Sequence, residues 1–383
     1  MHLLSGLHLG YCTNIHRGET WEEIFAALQT HTLAVRDRVA PNQRYGIGLR
    51  LGARAASELA DPSTQVEFQR WLEKNECYVF TINGFPYGQF HGTRVKEQVY
   101  LPDWSTVERL DYTKRLFDLL GELVPPGGGG SVSTLPLSFK EFAVTPEQFE
   151  AMRANIEGCA RHIEKVAASS GRELHLGLEP EPLCTLETSD ELIDFLSGFD
   201  EDVMRVVGMN YDTCHLAVEF EEPREALSKL RAAGVRISKF HLSSALKLRP
   251  SSEALNRLGA FSEDTYLHQV ISRGADGELR RFTDLPQALA AVEFEPPAEG
   301  DEWRVHFHVP VHAQPELVFN DTRDHIEAIL DFVAEDPALC THFEIETYTW
   351  DVLPAELRQP NVVDQITKEY QWVLGEMKKR SLG

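Results

Sequence analysis

Eight times along this chain, a short run rich in β-branched and aromatic residues gives way to a longer stretch with helical spacing of its apolar positions. That rhythm leaves few folds open. The spacing predicts strands at 7–15, 45–51, 77–84, 131–137, 174–181, 206–212, 236–243 and 342–348, each followed by helical sequence. Parallel strands need a crossover, which a helix supplies, and eight such units suit closure into a (β/α)8 TIM barrel of the α/β class. A doubly wound open sheet is the competing architecture, and it carries a glycine-rich turn after its first strand. Here that turn reads Tyr11-Cys12-Thr13-Asn14-Ile15-His16, so the barrel is the expectation.

Local signals mark the boundaries. Thr20 ahead of Trp21-Glu22-Glu23 has the pattern of a helix cap. The tract Pro125-Pro126-Gly127-Gly128-Gly129-Gly130 ends the third helix and reads as a flexible turn, since no Lys-Ser or Lys-Thr follows to make it a phosphate loop. The rhythm breaks once, after the seventh strand. Residues 246–320 hold strand-like runs at 266–272, 279–282 and 303–312, the first two flanking the hairpin-like Gly274-Ala275-Asp276-Gly277. One barrel domain over 1–383 with a β-rich insertion at 246–320 is predicted.

Composition narrows the function. With 383 residues, 42% of them hydrophobic, the chain has material for a large core and is no disordered segment. Its 60 acidic against 37 basic residues, a net charge of −23, oppose nucleic-acid binding, which needs a basic footprint to displace counterions from phosphates. The six cysteines (Cys12, Cys77, Cys159, Cys184, Cys214 and Cys340) form no CxxC pair and read as reduced thiols of a cytoplasmic protein. Residues 1–10 are apolar but lack the basic residues of a leader, and no stretch approaches the roughly 20 apolar residues of a membrane span. The expected partner is a small molecule, with an oligomer left open.

A barrel carries its chemistry at the carboxyl ends of its strands. Four ends hold ionisable residues: Glu179 in Leu176-Gly177-Leu178-Glu179-Pro180-Glu181-Pro182, Asp212 in Asn210-Tyr211-Asp212-Thr213-Cys214-His215, His241 in Lys239-Phe240-His241-Leu242, and Glu346 in Phe343-Glu344-Ile345-Glu346-Thr347. Any one alone is more simply a helix cap, a solvated carboxylate or a satisfied core histidine. Together on neighbouring tips they crowd three negative charges into one cavity, and such a cluster repels itself unless a cation or a shared proton offsets it. One divalent ion is the simplest answer, and three carboxylates with one imidazole suit Mn, Mg, Co or Zn alike.

The same motifs resemble a known superfamily. Asp212-Thr213-Cys214-His215 is similar to the Asp-Thr-Cys-His of endonuclease IV and the Asp-x-x-His of sugar isomerases and epimerases, and Glu179-Pro180 to the Glu-Pro of the hydroxypyruvate isomerase and ketose epimerase group. Phe240-His241-Leu242 and Ile345-Glu346-Thr347 resemble the later motifs of this xylose-isomerase-like superfamily. The resemblance implies that Glu179, Asp212, His241 and Glu346 are metal ligands. It implies also that His215 touches substrate or a second metal, and that Glu179 and Glu346 are the proton-transferring pair. More narrowly, His8-Leu9-Gly10-Tyr11-Cys12-Thr13-Asn14, Phe85-Pro86-Tyr87-Gly88-Gln89-Phe90-His91-Gly92 and Lys96-Glu97-Gln98-Val99-Tyr100 resemble the bacterial metabolite-traffic EboE family, associated with export of a secondary-metabolite precursor.

The chain departs from the trinuclear endonucleases, because its fourth strand ends Thr134-Leu135-Pro136-Leu137 without a histidine and its third offers only His91. Against that, His308-Val309-Pro310-Val311-His312 could replace an Asp-x-His pair, so His308 and His312 are candidate ligands of an additional ion. The plainer alternative is that His306 and His308 share one face of an ordinary strand. Asn83, His91, Arg94 and Lys96 are candidate substrate-binding residues, the last two for an anionic group, and the loop 84–92 is a candidate wall or lid. The leading expectation is a metal-dependent sugar isomerase or epimerase acting on a small polyhydroxy or carbonyl metabolite by glutamate-mediated proton transfer. The alternatives are a metabolite-binding traffic barrel without turnover and an endonuclease IV-like phosphodiesterase.

Overall fold

A computed structural model describes residues 1–313 and 318–383. Seven parallel strands run in chain order as β1 (His8–Tyr11), β2 (Tyr45–Arg50), β3 (Cys77–Asn83), β4 (Gly129–Thr134), β5 (Glu173–Leu178), β6 (Val207–Asp212) and β7 (Ile237–Leu242). Then come the inserted strands β8 (Ser244–Leu248), β9 (Val270–Arg273), β10 (Leu279–Phe282), β11 (Glu302–Val309) and β12 (Phe319–Asp321), and last β13 (His342–Ile345). The parallel strands form one eight-stranded sheet, ordered β1-β13-β7-β6-β5-β4-β3-β2. Its ends meet at a parallel bridge between Cys12 and Gly48, which closes a (β/α)8 barrel.

The strands are buried almost throughout, since helices cover the outside and side chains fill the inside. Helix starts follow the local signals. Thr20 caps Trp21–Ala27 with a reciprocal bond from Glu23, and Thr145 does the same with Gln148 for Pro146–Ser170. The glycine tract is only half a turn: Gly129 and Gly130 already belong to β4, because glycines without side chains can enter a crowded strand as easily as a loop. The strands at 174–181 and 342–348 end early, at Leu178 and Ile345, so Glu179, Glu181 and Glu346 stand just past the last paired residue. All six cysteines are buried free thiols, and no helix among the described residues is long and apolar enough to cross a membrane.

The insertion builds a second, antiparallel sheet ordered β10-β9-β11-β8-β12 with its own apolar cluster, including Leu246, Val270, Trp303, Val305 and Phe307. It opens at Ser244, ahead of the expected 246, because β8 follows β7 after a single residue. The hairpin joins β9 to β10 with Gly277 at φ +88°, a conformation that favours glycine. The first expected run shortens to Val270–Arg273, since Tyr266 and Leu267 are drawn to the barrel mouth. The run at 303–312 ends at Val309, where Pro310 has no N–H to continue the ladder. Between Val305 and Val309, β11 bulges against β8: Val305 pairs with Leu246, but Val309 pairs with Ser244. The sheet is docked through arginines. Arg281 donates to Glu219 at 2.7 Å, and Arg304 donates to the Ala217 carbonyl at 2.6 Å while its guanidinium lies 4.0 Å over the Phe220 ring.

Candidate metal centre

The tips of β5, β6, β7 and β13 bring Glu179, Asp212, His241 and Glu346 together, with one donor atom of each within 4.8 Å of all the others. His241 Nδ1 is the hub: it lies 3.0 Å from Glu179 Oε1, 3.5 Å from Asp212 Oδ2 and 3.7 Å from Glu346 Oε2. Asp212 does two things at once. Its Oδ1 caps the helix Thr213–Val218, accepting from the backbone of Cys214 at 2.7 Å and His215 at 3.0 Å, and it also accepts from Ser243 Oγ at 2.6 Å. Its Oδ2 is buried without a hydrogen-bond partner, and so is Glu179 Oε2. Two orphaned carboxylate oxygens in a closed site fit a divalent cation, because burying such atoms unpaired is costly.

The electrostatics are those of a self-repelling cluster. Burial, reinforced by Glu179, Asp212 and Glu344, pushes Glu346 well above the usual carboxylate range despite the opposing pull of His241. Burial pushes Asp212 up as well, but His215, His241 and His308 outweigh it and hold it well below. Burial and Lys239 press His241 downward, and the surrounding carboxylates overcome both to raise it.

Glu344 and Lys239 sit under His241, and Asn14 and the substrate-binding candidate Asn83 donate to Glu346 Oε1 at 2.9 and 3.3 Å. Of these, Glu344, Lys239 and Asn14 have no role in the sequence reading. Alternation was the available signal, because residues two apart on a strand share a face: Lys239 with His241, and Glu344 with Glu346. Asn14 gave none, lying 332 residues from its partner.

A second cluster forms the rim. The β11 bulge turns His306 and His308 toward His215, with ring centroids 4.5 Å (His215–His306), 5.6 Å (His215–His308) and 5.3 Å (His306–His308) apart. Each Nδ1 faces a carbonyl-type acceptor: Pro180 O at 3.0 Å for His215, Gln269 Oε1 at 2.7 Å for His306 and Glu346 O at 3.0 Å for His308. His306 and His308 therefore carry the proton on Nδ1 and present Nε2 as a lone pair, and both Nε2 atoms are buried without a partner. Burial holds His308 at about 4 and His306 well below its ordinary value, so both are neutral. Glu181 joins this rim, pushed up to about 7 by burial against the pull of His215 and the Tyr100 hydroxyl. His312 does not join. Pro310 ends the strand before alternation reaches it, and it sits instead where burial and the charges of Lys368 and Arg323 hold it at about 4.

A cavity opens above the two clusters. Its floor carries Glu179, Glu346 and Asn83, and its wall is aromatic, from Phe85, Phe90, Tyr100, Tyr266 and Tyr348. The loop 84–92 thus supplies part of the wall. His91 is not a lining residue, because its ring is spent on the Tyr266 hydroxyl at 2.6 Å and the Asn14 carbonyl. Arg94 is exposed and outside the cavity. Lys96 lines it with its stem, but the ammonium is buried against Asp284 at 2.6 Å and the Glu263 carbonyl at 3.0 Å, which removes it as an anion holder.

No protein-family model matches the chain, and no curated protein sequence does. Solved structures match in fold. D-psicose 3-epimerase, crystallised in the presence of D-fructose, matches at a TM-score of 0.51 and 12% identity over 98% of this chain and 100% of its own. A D-tagatose 3-epimerase-like protein gives 0.52 and 11% over 97% and 100%. A xylose isomerase domain protein from Planctomyces limnophilus gives 0.50 and 14% over 98% and 97%. Identities this low speak for the fold alone, a (β/α)8 barrel.

Proposed function

We propose that this barrel is a divalent-metal-dependent isomerase or epimerase acting on a small polyhydroxy or carbonyl metabolite, with Glu179, Asp212, His241 and Glu346 holding the ion. The observation that carries the reading is the pair of buried, unpartnered oxygens, Glu179 Oε2 and Asp212 Oδ2, beside an imidazole that three carboxylates surround. A divalent ion bound there, Mn, Mg, Co or Zn, would polarise a substrate carbonyl and acidify the adjacent C–H. Glu179 and Glu346 stand on different strands at the cavity floor, so one can take a proton from a substrate carbon and the other return it. Asn14 and Asn83 hold Glu346 in position through Oε1. His215, on the rim, is placed to touch substrate hydroxyls, and the aromatic wall excludes water.

The rim favours one addition: a second cation held by Asp212, His215 and His308. It rests on their donor atoms lying within 4.8 Å of one another and on the buried, unpartnered Nε2 of His308. The test is to load the purified protein with Mn(II), Co(II) and Zn(II), measure ions per chain by elemental analysis, and assay D-fructose, D-psicose and related keto sugars. The expected result is at least one tightly held ion and metal-dependent interconversion. Tight metabolite binding without turnover would replace the enzyme reading with the carrier role that the EboE resemblance implies, and an ion-free protein would end both metal assignments. A phosphodiesterase would need two ions and affinity for DNA at low salt, which the net charge of −23 opposes.

A further inference from the structure

On the side of the His241 ring away from Glu179 lies a buried ion pair that the reading above leaves without a task. Lys239 Nζ and Glu344 Oε2 are 2.6 Å apart with both side chains fully buried, and the same Oε2 lies 2.9 Å from His241 Nε2. The sheet sets this up: Lys239 is two residues before His241 on β7, and Glu344 on β13 is the register partner of His241. Lys239 is fixed further by a 3.2 Å bond to Ser133 Oγ on β4. On β2, across β1 from β13, Gly48 leaves room for the carboxylate: a Cβ there would overlap Glu344 and press on the Tyr11 carbonyl. Burying two such charges is costly, and an apolar pair of similar volume is often as stable or more so. A role in stability alone therefore does not account for it.

Nδ1 of His241 faces Glu179 Oε1 at 3.0 Å and the Asn210 amide nitrogen at 3.2 Å, and of the two neutral tautomers only the one protonated on Nε2 leaves the Nδ1 lone pair free for an ion. We propose that Lys239 and Glu344 are a positioning pair for His241: Glu344 accepts the Nε2 hydrogen, so the Nδ1 lone pair faces the cation, and Lys239 locks the carboxylate in place. This rests on the cation centre proposed above and not on turnover.

The test is Mn(II) titration of the full chain followed by electron paramagnetic resonance, with electron spin echo modulation reporting a directly bound imidazole nitrogen. Mn(II) prefers oxygen ligands, which directs its first equivalent to the carboxylate floor. Glu344→Gln is expected to weaken Mn(II) binding about 10–100-fold and to diminish or shift the nitrogen modulation. Lys239→Gln, which keeps the Glu344 carboxylate but removes its ionic partner, is expected to shift both readouts in the same direction, and it keeps the idea testable should Glu344→Gln fail to fold. Variants that are folded by circular dichroism and keep wild-type affinity and modulation would overturn the pairing while leaving the metal centre intact. A wild-type protein that binds no Mn(II) would overturn the centre and the pairing together.

Discussion

The floor and the rim of the cavity are made on opposite terms. The floor is three carboxylates and one imidazole standing on four strands of the barrel; the rim is three imidazoles and Glu181, two of the imidazoles riding on a bulged strand of the appended sheet. One is oxygen-rich and anionic, the other nitrogen-rich. Oxygen ligands suit Mg and Mn, whereas imidazoles suit Zn, Cu, Fe and Ni, so one cavity presents two preferences side by side. The difference teaches where each kind of site comes from. Parallel strands buried on both faces fix ligands by their ends, while an antiparallel insertion must kink to aim its side chains.

The contrast breaks most sharply at Glu346. Glu346→Gln keeps the bulk but removes the proton acceptor, and turnover in a metal-loaded assay is expected to fall about 10²–10⁴-fold. Asp212→Asn comes next. Asparagine caps a helix as well as aspartate does, so Thr213–Val218 should persist by circular dichroism while Mn(II) affinity drops at least about 10-fold; Asp212→Ala should lose both. Retained affinity in the asparagine variant would make Asp212 a cap alone.

Beneath the floor, Glu369 is buried against Thr347 and Gln365, and burial lifts it to about 7 against those two hydrogen bonds. The folded state therefore holds a proton that the unfolded chain gives up near 4.5. The associated stability is present at low pH, falls as pH rises from about 4.5 and is gone above about 7, a loss of about 3 kcal/mol. Urea midpoints from pH 4 to 8 should show this decline, and Glu369→Gln should flatten it. At the rim, His308→Asn is expected to lower the Zn(II) count from two per chain to one without releasing the floor ion. The smallest effect is expected of His312→Ala, which should leave the ion count unchanged; loss of an ion there would redraw the rim.

Much of the floor could be read from local pattern, because each of its four ligands ends a conspicuous apolar run. What lay one alternation away, Lys239 and Glu344, was equally visible once strand periodicity was applied to both sides of each ligand. The rim was legible only in part: His215 and His308 were candidates, but the approach of His306 and His308 depends on a two-residue slip between β11 and β8, a register that only the partner strand defines, and His312 was an equally good reading until Pro310 ended the strand. Lys96 looked like an exposed base, and Asp284, far along the chain, is what buries it. Pairings of this kind are set by tertiary approach and leave no trace in spacing.

The barrel's seam carries one last consequence. Among the described residues, β1 and β2 are joined by the single bridge Cys12–Gly48, whereas β4 and β5 share six register pairs. Backbone amides along that seam should therefore exchange with deuterium through small local openings, well before those of β4 and β5. Gly48 lies at that very join, so each such opening would let solvent reach the Glu344 carboxylate from the side, making the barrel's weakest stitch a gate for water beneath the site.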